Sequence, residues 1–439
     1  MTKRPFILDS GATFITSAIG YLFGITTSIL LARTVGPEGK GILAVIGLAV
    51  GQVAEFLSLG LATAIVHYVG SSKADRRVVS STTFLLSLLL GIAASIIAIV
   101  TLRFLLKPAS SLMWLFIYVY ALLSPLSLYS GYLSAIARAE GKIIEISGIK
   151  LAERIIHLLG MIVCFLFVKS TLAVMFLLIS SRIFSAVLLW TFCTRWGYFP
   201  PSMKDVRKNI ASRLIIYGVK GHAGTVFQSL NYRFDIYIVA YFLSASQVGI
   251  YSVAVAFSEI LWMVPDSLGI VISQRSASRC RAEASRITAT ATRLMLPVLA
   301  FGCIAWALLG SFVIPLFYGA AFASASGAMF WLLPGIWFLG LWKNLLNDIC
   351  FRGYPLYKTY SSGVAVLVTI ILDLLLIPKF GIAGAAMASS AAYATAALIT
   401  LFLYISAAGV RFRELLLPRY EDIDWFKSSF NSMMRALKS

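Results

Sequence analysis

The chain is built almost entirely from long apolar segments joined by short connections. They run at about 12–33, 42–69, 79–103, 111–136, 146–168 and 171–194, then at about 213–242, 248–274, 290–316, 324–350, 358–378 and 382–408. Each has at least the roughly 20 residues that a helix needs to cross a bilayer core. All stay apolar on every side for several turns, unlike the short alternating stretches of a membrane barrel. The expected fold class is therefore an all-α integral membrane protein with twelve transmembrane helices. With 59% hydrophobic and 13% charged residues, the chain falls well outside the soluble globular range, where about a quarter of residues are charged. The first apolar stretch, Ala12 to Ala32, is too long for a signal peptide, and no small-residue cleavage site precedes Gly36, so it is expected to remain as a span.

The basic residues orient these spans. Of 37 Lys and Arg residues, 24 lie in every second connection and at the two ends, whereas the intervening connections hold only Arg33, Lys40, Arg103, Lys107, Lys169 and Lys379. Short basic loops resist translocation, so both termini are expected on the cytoplasmic side. A net charge of +19 could suggest nucleic acid, but such a partner needs cations on one solvated face, and these are spread over loops between lipid-soluble segments. Attraction to anionic membrane lipids accounts for most of them.

Catalytic and metal signatures are weak. Cys164, Cys193, Cys280, Cys303 and Cys350 form no C-x-x-C pair, and His67, His157 and His222 sit on three different segments. No metal site, no nucleophile constellation and no cofactor is expected. The glycine-rich stretch Gly36 to Gly41 is a helix-breaking turn rather than a phosphate-binding loop of the Walker type.

A faint repeat divides the chain. Leu31 through Gly41-Ile42 returns as Val239 through Gly249-Ile250, a shift of 208 residues, and Gly141 is echoed by Gly353 at a shift of 212. Two six-span halves of equal topology imply a pseudo-twofold axis along the membrane normal. The expected organisation is a first bundle over 1–194, a cytoplasmic linker at 195–212 containing Pro200 and Pro201, a second bundle over 213–408 and a cytoplasmic tail at 409–439.

Five motifs then carry a resemblance: Val35-Gly36-Pro37-Glu38-Gly39-Lys40-Gly41, Arg233-x-Asp235, Val248-Gly249-Ile250-Tyr251, Phe317-Tyr318-Gly319-Ala320-Ala321-Phe322, and Lys379-Phe380-Gly381-Ile382-Ala383-Gly384-Ala385-Ala386. In this order and spacing the chain resembles the polysaccharide transporter branch of the multidrug, oligosaccharidyl-lipid and polysaccharide (MOP) exporter superfamily, the O-antigen-type flippases. It departs from that pattern at Ala320-Ala321, where relatives usually carry acidic residues. The resemblance implies a MATE-like fold in the bacterial cytoplasmic (inner) membrane. It also implies a cargo of undecaprenyl-pyrophosphate-linked oligosaccharide, moved from the inner to the outer leaflet by alternating access. Implied partners are that lipid-linked cargo, membrane lipids and the polysaccharide polymerase machinery, and a monomer is compatible with the sequence.

Seven cations fall inside the spans: Lys150, Arg154, Arg182, Lys220, Arg233, Arg293 and Lys343. Because a charge at the bilayer centre costs at least about 2.5 to 3.5 kcal/mol, such residues face a cavity or a partner. Arg293, close to the inner boundary, is expected to snorkel. Lys150, Arg154 and His157 share one helix face beside Glu153 and read either as a local ion-pair set or as a patch for the pyrophosphate. Lys220 and His222 belong to the most polar span, in which Gly224, Gln228, Asn231 and Asp235 share a face. The cavity candidates are thus Lys150, Arg154, His157, Arg182, Lys220, His222 and Lys343. Arg233 and Asp235 read as a neutralising pair or as gating residues. Proton or sodium coupling would fall to Glu55, Asp235, Asp266 or His222, whose burial can bring their protonation near physiological pH. A drug efflux pump, a lipid II flippase (typically fourteen spans) and, less favoured because the connections are short, a membrane polymerase or glycosyltransferase are the competing functions.

Overall fold

The computed structural model describes residues 6–106, 110–276 and 281–417. Lys3, Arg4, Lys107, Arg279, Cys280, Arg419, Lys427, Arg435 and Lys438 lie outside them. The described chain is helical, with no strand. Helices are α1 (Phe6–Leu57), α2 (Leu61–Gly70), α3 (Arg76–Leu105), α4 (Ser111–Leu122), α5 (Ser124–Ala139), α6 (Ile143–Val163, continued by a π turn to Val168), α7 (Thr171–Arg195) and α8 (Lys208–Phe242). They continue as α9 (Ala245–Ser258), α10 (Met263–Ser276), α11 (Arg281–Tyr318), α12 (Ala325–Phe351), α13 (Leu356–Ala408) and the short α14 (Phe412–Leu416).

Among the described residues, nine helices are long and apolar enough to cross a membrane, making this a multi-pass membrane protein. Three places separate that number from the twelve segments expected. The continuous stretches Ile19–Leu57 and Leu356–Ala408 each contain a glycine outside helical geometry, Gly36 (φ 68°) and Gly381 (φ 59°). At positive φ a Cβ would be strained, which is why both glycine-containing motifs break the helix there. The third place is α8, 35 residues long, whose Lys208, Arg213, Lys220, Arg233 and Asp235 lower its hydropathy.

Exposed Leu89, Ile92, Ile96, Val100 and Phe104 on α3, and Val298, Phe301, Ile304, Leu308 and Phe312 on α11, recur at three- and four-residue spacing. Such continuous apolar stripes belong to lipid-facing surfaces. Helix association in lipid depends on close packing of small residues rather than on hydrophobicity. On α13, Ala385, Ala388, Ser389, Ala392 and Ala396 are fully or almost fully buried. There the Gly335 N–H of α12 donates to Ser390 Oγ at 3.2 Å, and a Cβ on Gly335 would fall 2.5 Å from Ser390 Cα.

The described helices group into two compact units. The first holds residues up to Ser229 together with Ile236–Val253 and Ile314–Ser324, and the second holds Leu230–Asp235, Ala254–Val313 and the chain from Ala325. In the first unit, Asp75 caps α3 by accepting from the backbone N–H groups of Arg77 and Val78 at 2.8 and 3.3 Å. Beside it, Glu140 bridges Arg76 at 2.6 Å and Lys142 at 2.8 Å, and the Lys142 ammonium lies 4.4 Å from the Trp196 ring. Partial burial opposes ionisation of Glu140, but the bonds from Arg76 and Lys142 outweigh it and hold the carboxyl below its ordinary value of 4.5. A depressed carboxyl stabilises the fold fully above the unfolded-chain value and loses that contribution as pH falls through the folded one. Acidification from about pH 5 to about pH 3 should therefore lower the Tm of the purified protein more than that of Glu140→Gln. Equal slopes would remove the clamp from the stability of this end.

Candidate functional site

The first unit contains a cavity of about 380 Å³ between α1, α4, α6 and α7. Arg154 and His157 reach it from one face of α6, and Arg182 reaches it from α7. The Arg182 guanidinium donates to Ser127 Oγ at 2.8 Å and stacks 4.6 Å over the Tyr120 ring, so it is oriented without being neutralised. His157 Nδ1 lies 3.1 Å from Ser181 Oγ. Glu153 accepts from Ser185 Oγ at 2.8 Å instead of pairing with Lys150 or Arg154, so the local ion-pair set does not form. Lys150 and Arg154 are both exposed.

The position of Arg154 depends on a residue that the sequence did not single out. A Cβ on Gly20 of α1 would fall 1.2 Å from Arg154 Nη1, so the guanidinium occupies the space a side chain at Gly20 would take. Gly20 and Gly24 give α1 a bare face towards the cavity. Two guanidinium groups, a histidine and one engaged carboxylate leave the lining with excess positive charge. Such a lining suits a multivalent oxyanion, because Arg presents paired donors to phosphate oxygens.

Lys220 and His222 stand apart from this cavity. His222 Nε2 lies 2.9 Å from the Phe56 carbonyl oxygen, and Ser229 donates to Glu55 at 2.7 Å, so both candidates tie α8 to the end of α1. Close approach here comes from Gly218, where a Cβ would meet the Leu59 carbonyl oxygen at 2.4 Å. Lys220 itself is exposed.

In the second unit the candidates are paired. Lys343 bridges Asp266 at 2.9 Å and lies 4.1 Å over the Trp262 ring. Arg233 pairs with Glu259, its Nη2 donating to Oε2 at 3.0 Å and its Nη1 lying 2.6 Å from Oε1, rather than neutralising Asp235. Asp348 pairs with Arg352 one turn on and accepts from Tyr404. Arg293 does not snorkel: it is 6% exposed and donates to the Glu414 carbonyl oxygen and to Thr290 Oγ1. The chain after α13 returns as α14, supplying an acceptor that no local pattern announces.

Asp235 belongs instead to a buried polar cluster. It accepts from Ser389 at 2.9 Å, and Asn231, one turn earlier on α8, accepts from Thr369 at 2.8 Å. One turn beyond Thr369 sits Asp373, fully buried, with no hydrogen-bond partner for either carboxylate oxygen among the described residues and within electrostatic reach of Asp235. A buried carboxylate without donors demands a proton or a cation. The two polar pairs at four-residue spacing, Asn231/Asp235 and Thr369/Asp373, were the available sequence signal.

The family signature described as polysaccharide biosynthesis protein matches residues 9–269, more than half of the chain. The chain belongs to that family. No curated protein matches it in sequence. Among solved structures it is similar to the lipid II flippase MurJ in an inward closed conformation, with TM-score 0.73 and 18% identity over 93% of this chain and 89% of that one. It is similar to a multidrug resistance MATE family transporter of the MOP superfamily in an inward-facing conformation, with TM-score 0.70 and 14% identity over 88% and 94%. A MOP superfamily transporter from Pyrococcus furiosus, reported with a binding pocket of reversed polarity, gives TM-score 0.65 and 13% identity over 92% and 95%. This member of the polysaccharide biosynthesis protein family thus has the MOP transporter fold.

Gly20→Ala should weaken binding of inorganic pyrophosphate to the purified protein by roughly tenfold, about 1.4 kcal/mol, while its helix propensity gain of up to about 1 kcal/mol leaves thermal stability intact. Undiminished binding would separate Gly20 from the placement of Arg154.

Proposed function

We propose that this protein is a flippase that carries a polyprenyl-diphosphate-linked oligosaccharide from the inner to the outer leaflet of the bacterial cytoplasmic membrane, for O-antigen, capsule or exopolysaccharide assembly. The observation that carries this reading is the cavity in which Arg154, Arg182 and His157 meet with no carboxylate partner on either arginine among the described residues. Family membership and the MOP fold support it. The proposed topology has twelve spans with both termini cytoplasmic, arranged as two six-helix bundles that alternate access to the cargo. Arg154 and Arg182 hold the diphosphate, with Lys150 beside the approach to it, and the polyprenyl tail stays in lipid. The transfer is physical movement, without covalent chemistry. A drug efflux role is less well supported, because a lining with excess positive charge repels cationic compounds.

We further propose that Asp235 and Asp373 take up the coupling ion, a proton or sodium. Binding there would relieve the repulsion between two buried carboxylates and supply the partner that Asp373 lacks.

Deleting the gene should cause a lipid-linked oligosaccharide to accumulate and surface polysaccharide to be lost. Reintroducing Arg154→Gln/Arg182→Gln should restore the protein in the membrane but less than about a tenth of export, a cost of about 1.4 kcal/mol or more. Deletion without either phenotype would defeat the proposal, and full export by the double variant would remove the cavity from it. In inverted vesicles, Asp373→Asn should abolish the response of transport to the ion gradient; an unchanged response would exclude this cluster from coupling.

A further inference from the structure

Two of the six cations in the sparsely charged connections are held in an unusual way. Lys40 is only 5% exposed. Its ammonium donates to the carbonyl oxygen and hydroxyl of Ser28, at 3.3 and 3.0 Å, and lies 5.6 Å over the Tyr318 ring. Arg33 donates to the carbonyl oxygens of Phe317 and Leu316, at 2.6 and 2.5 Å, in the last turn of α11. Neither has a carboxylate partner within ion-pair distance among the described residues. The helix end offers only about half a negative charge, and the other acceptors are neutral.

Beside these contacts in the chain lies a reciprocal backbone clasp. A Cβ on Gly41 would fall 1.8 Å from the Ala245 carbonyl oxygen, and one on Gly249 would fall 1.9 Å from the Pro37 carbonyl oxygen. Ala245 and Gly249 are Pro37 and Gly41 displaced by the 208-residue repeat. The two copies of the turn therefore pack on each other symmetrically, and only glycine permits it at either position. Ile236–Val253, which carries Gly249, and Ile314–Ser324, which carries the acceptors of Arg33, both belong to the first unit.

We propose that Arg33 and Lys40 form a second anion station, shut by the Gly41/Gly249 clasp, which receives the cargo's diphosphate as the clasp opens towards the outer leaflet. This rests on the flippase reading. Opening strips both cations of their partners, which is unfavourable above all for Lys40, a buried group left unpaired, whereas Arg33 is exposed. A diphosphate, multivalent and matched to the Arg fork, replaces those weak acceptors with charge-assisted bonds. An anion that binds only the open form shifts the equilibrium towards it, so the exit opens when cargo is present and stays shut when it is absent.

The test uses the full chain in nanodiscs of zwitterionic lipid, with Arg154→Gln/Arg182→Gln silencing the inner cavity and inorganic pyrophosphate as the probe. Gly249→Val, or Gly41→Val from the other side, should wedge the clasp open and tighten pyrophosphate binding at least tenfold. Adding Arg33→Gln/Lys40→Gln should cancel that gain. No gain in a folded wedge variant, or a gain that survives loss of both cations, overturns the proposal. Without any wedge, pyrophosphate should accelerate labelling of Ser28→Cys by a membrane-impermeant thiol reagent at least tenfold, and an unchanged rate overturns it equally. If anionic phospholipid in the disc abolishes the response, the station binds ordinary headgroups and its assignment to cargo fails. A negative result here, alongside loss of export in the Arg154/Arg182 variant, would reject the station and leave the flippase reading intact.

Discussion

A charge placed among hydrocarbon must find a partner, and how this chain meets that requirement organises the rest of the molecule. In the second unit Arg233, Lys343 and Arg352 meet the requirement internally, although Asp373 does not. Arg233 holds Glu259 and Lys343 holds Asp266 across separate helices, while Arg352 holds Asp348 within one turn at the end of α12. In the first unit Arg154 and Arg182 face a cavity with no such partner among the described residues, and Lys40 and Arg33 rest on neutral acceptors. Buried pairs add little net stability but are costly to break. In the function proposed above, unmatched cations beside open volume receive an anion that arrives and leaves.

Glycine controls both cation sites. Gly20 leaves room for the Arg154 guanidinium, while Gly41 and Gly249 let two backbones meet where any side chain would intrude. In each case a missing Cβ on a helix permits the approach, a feature that reads in sequence merely as packing. Polar residues on α8 play the complementary role: His222 and Ser229 join it to α1, and Asn231 and Asp235 enter the polar cluster with Thr369, Ser389 and Asp373.

Apolar length made the helices legible in sequence, and the glycine motifs at Gly36 and Gly381 marked the breaks within two long stretches. The in-span cations were also visible, because so few charges interrupt the apolar runs. Their partners were not. Glu259 lies 26 residues from Arg233, and Asp266 lies 77 residues from Lys343. Such choices depend on which helix faces meet, and local spacing says nothing about that. The acceptor of Arg293 arrives from α14, which its local sequence does not signal, and Asp373 has no basic residue within a helical turn in sequence to mark it apart from the other acids in the spans. The repeat at 208 residues was faint as sequence but becomes physical in the reciprocal contact of its two glycines.

The central claim is that unpaired cations in the first unit carry a lipid-linked diphosphate across the membrane. Reconstitution into vesicles, with a fluorescent polyprenyl-diphosphate sugar and a leaflet-selective quencher, measures that movement directly. Wild-type protein should transfer the lipid between leaflets, and Arg154→Gln/Arg182→Gln should fall to the rate of protein-free vesicles. Equal transfer by both proteins, or none by the wild type under an imposed ion gradient, would contradict the account.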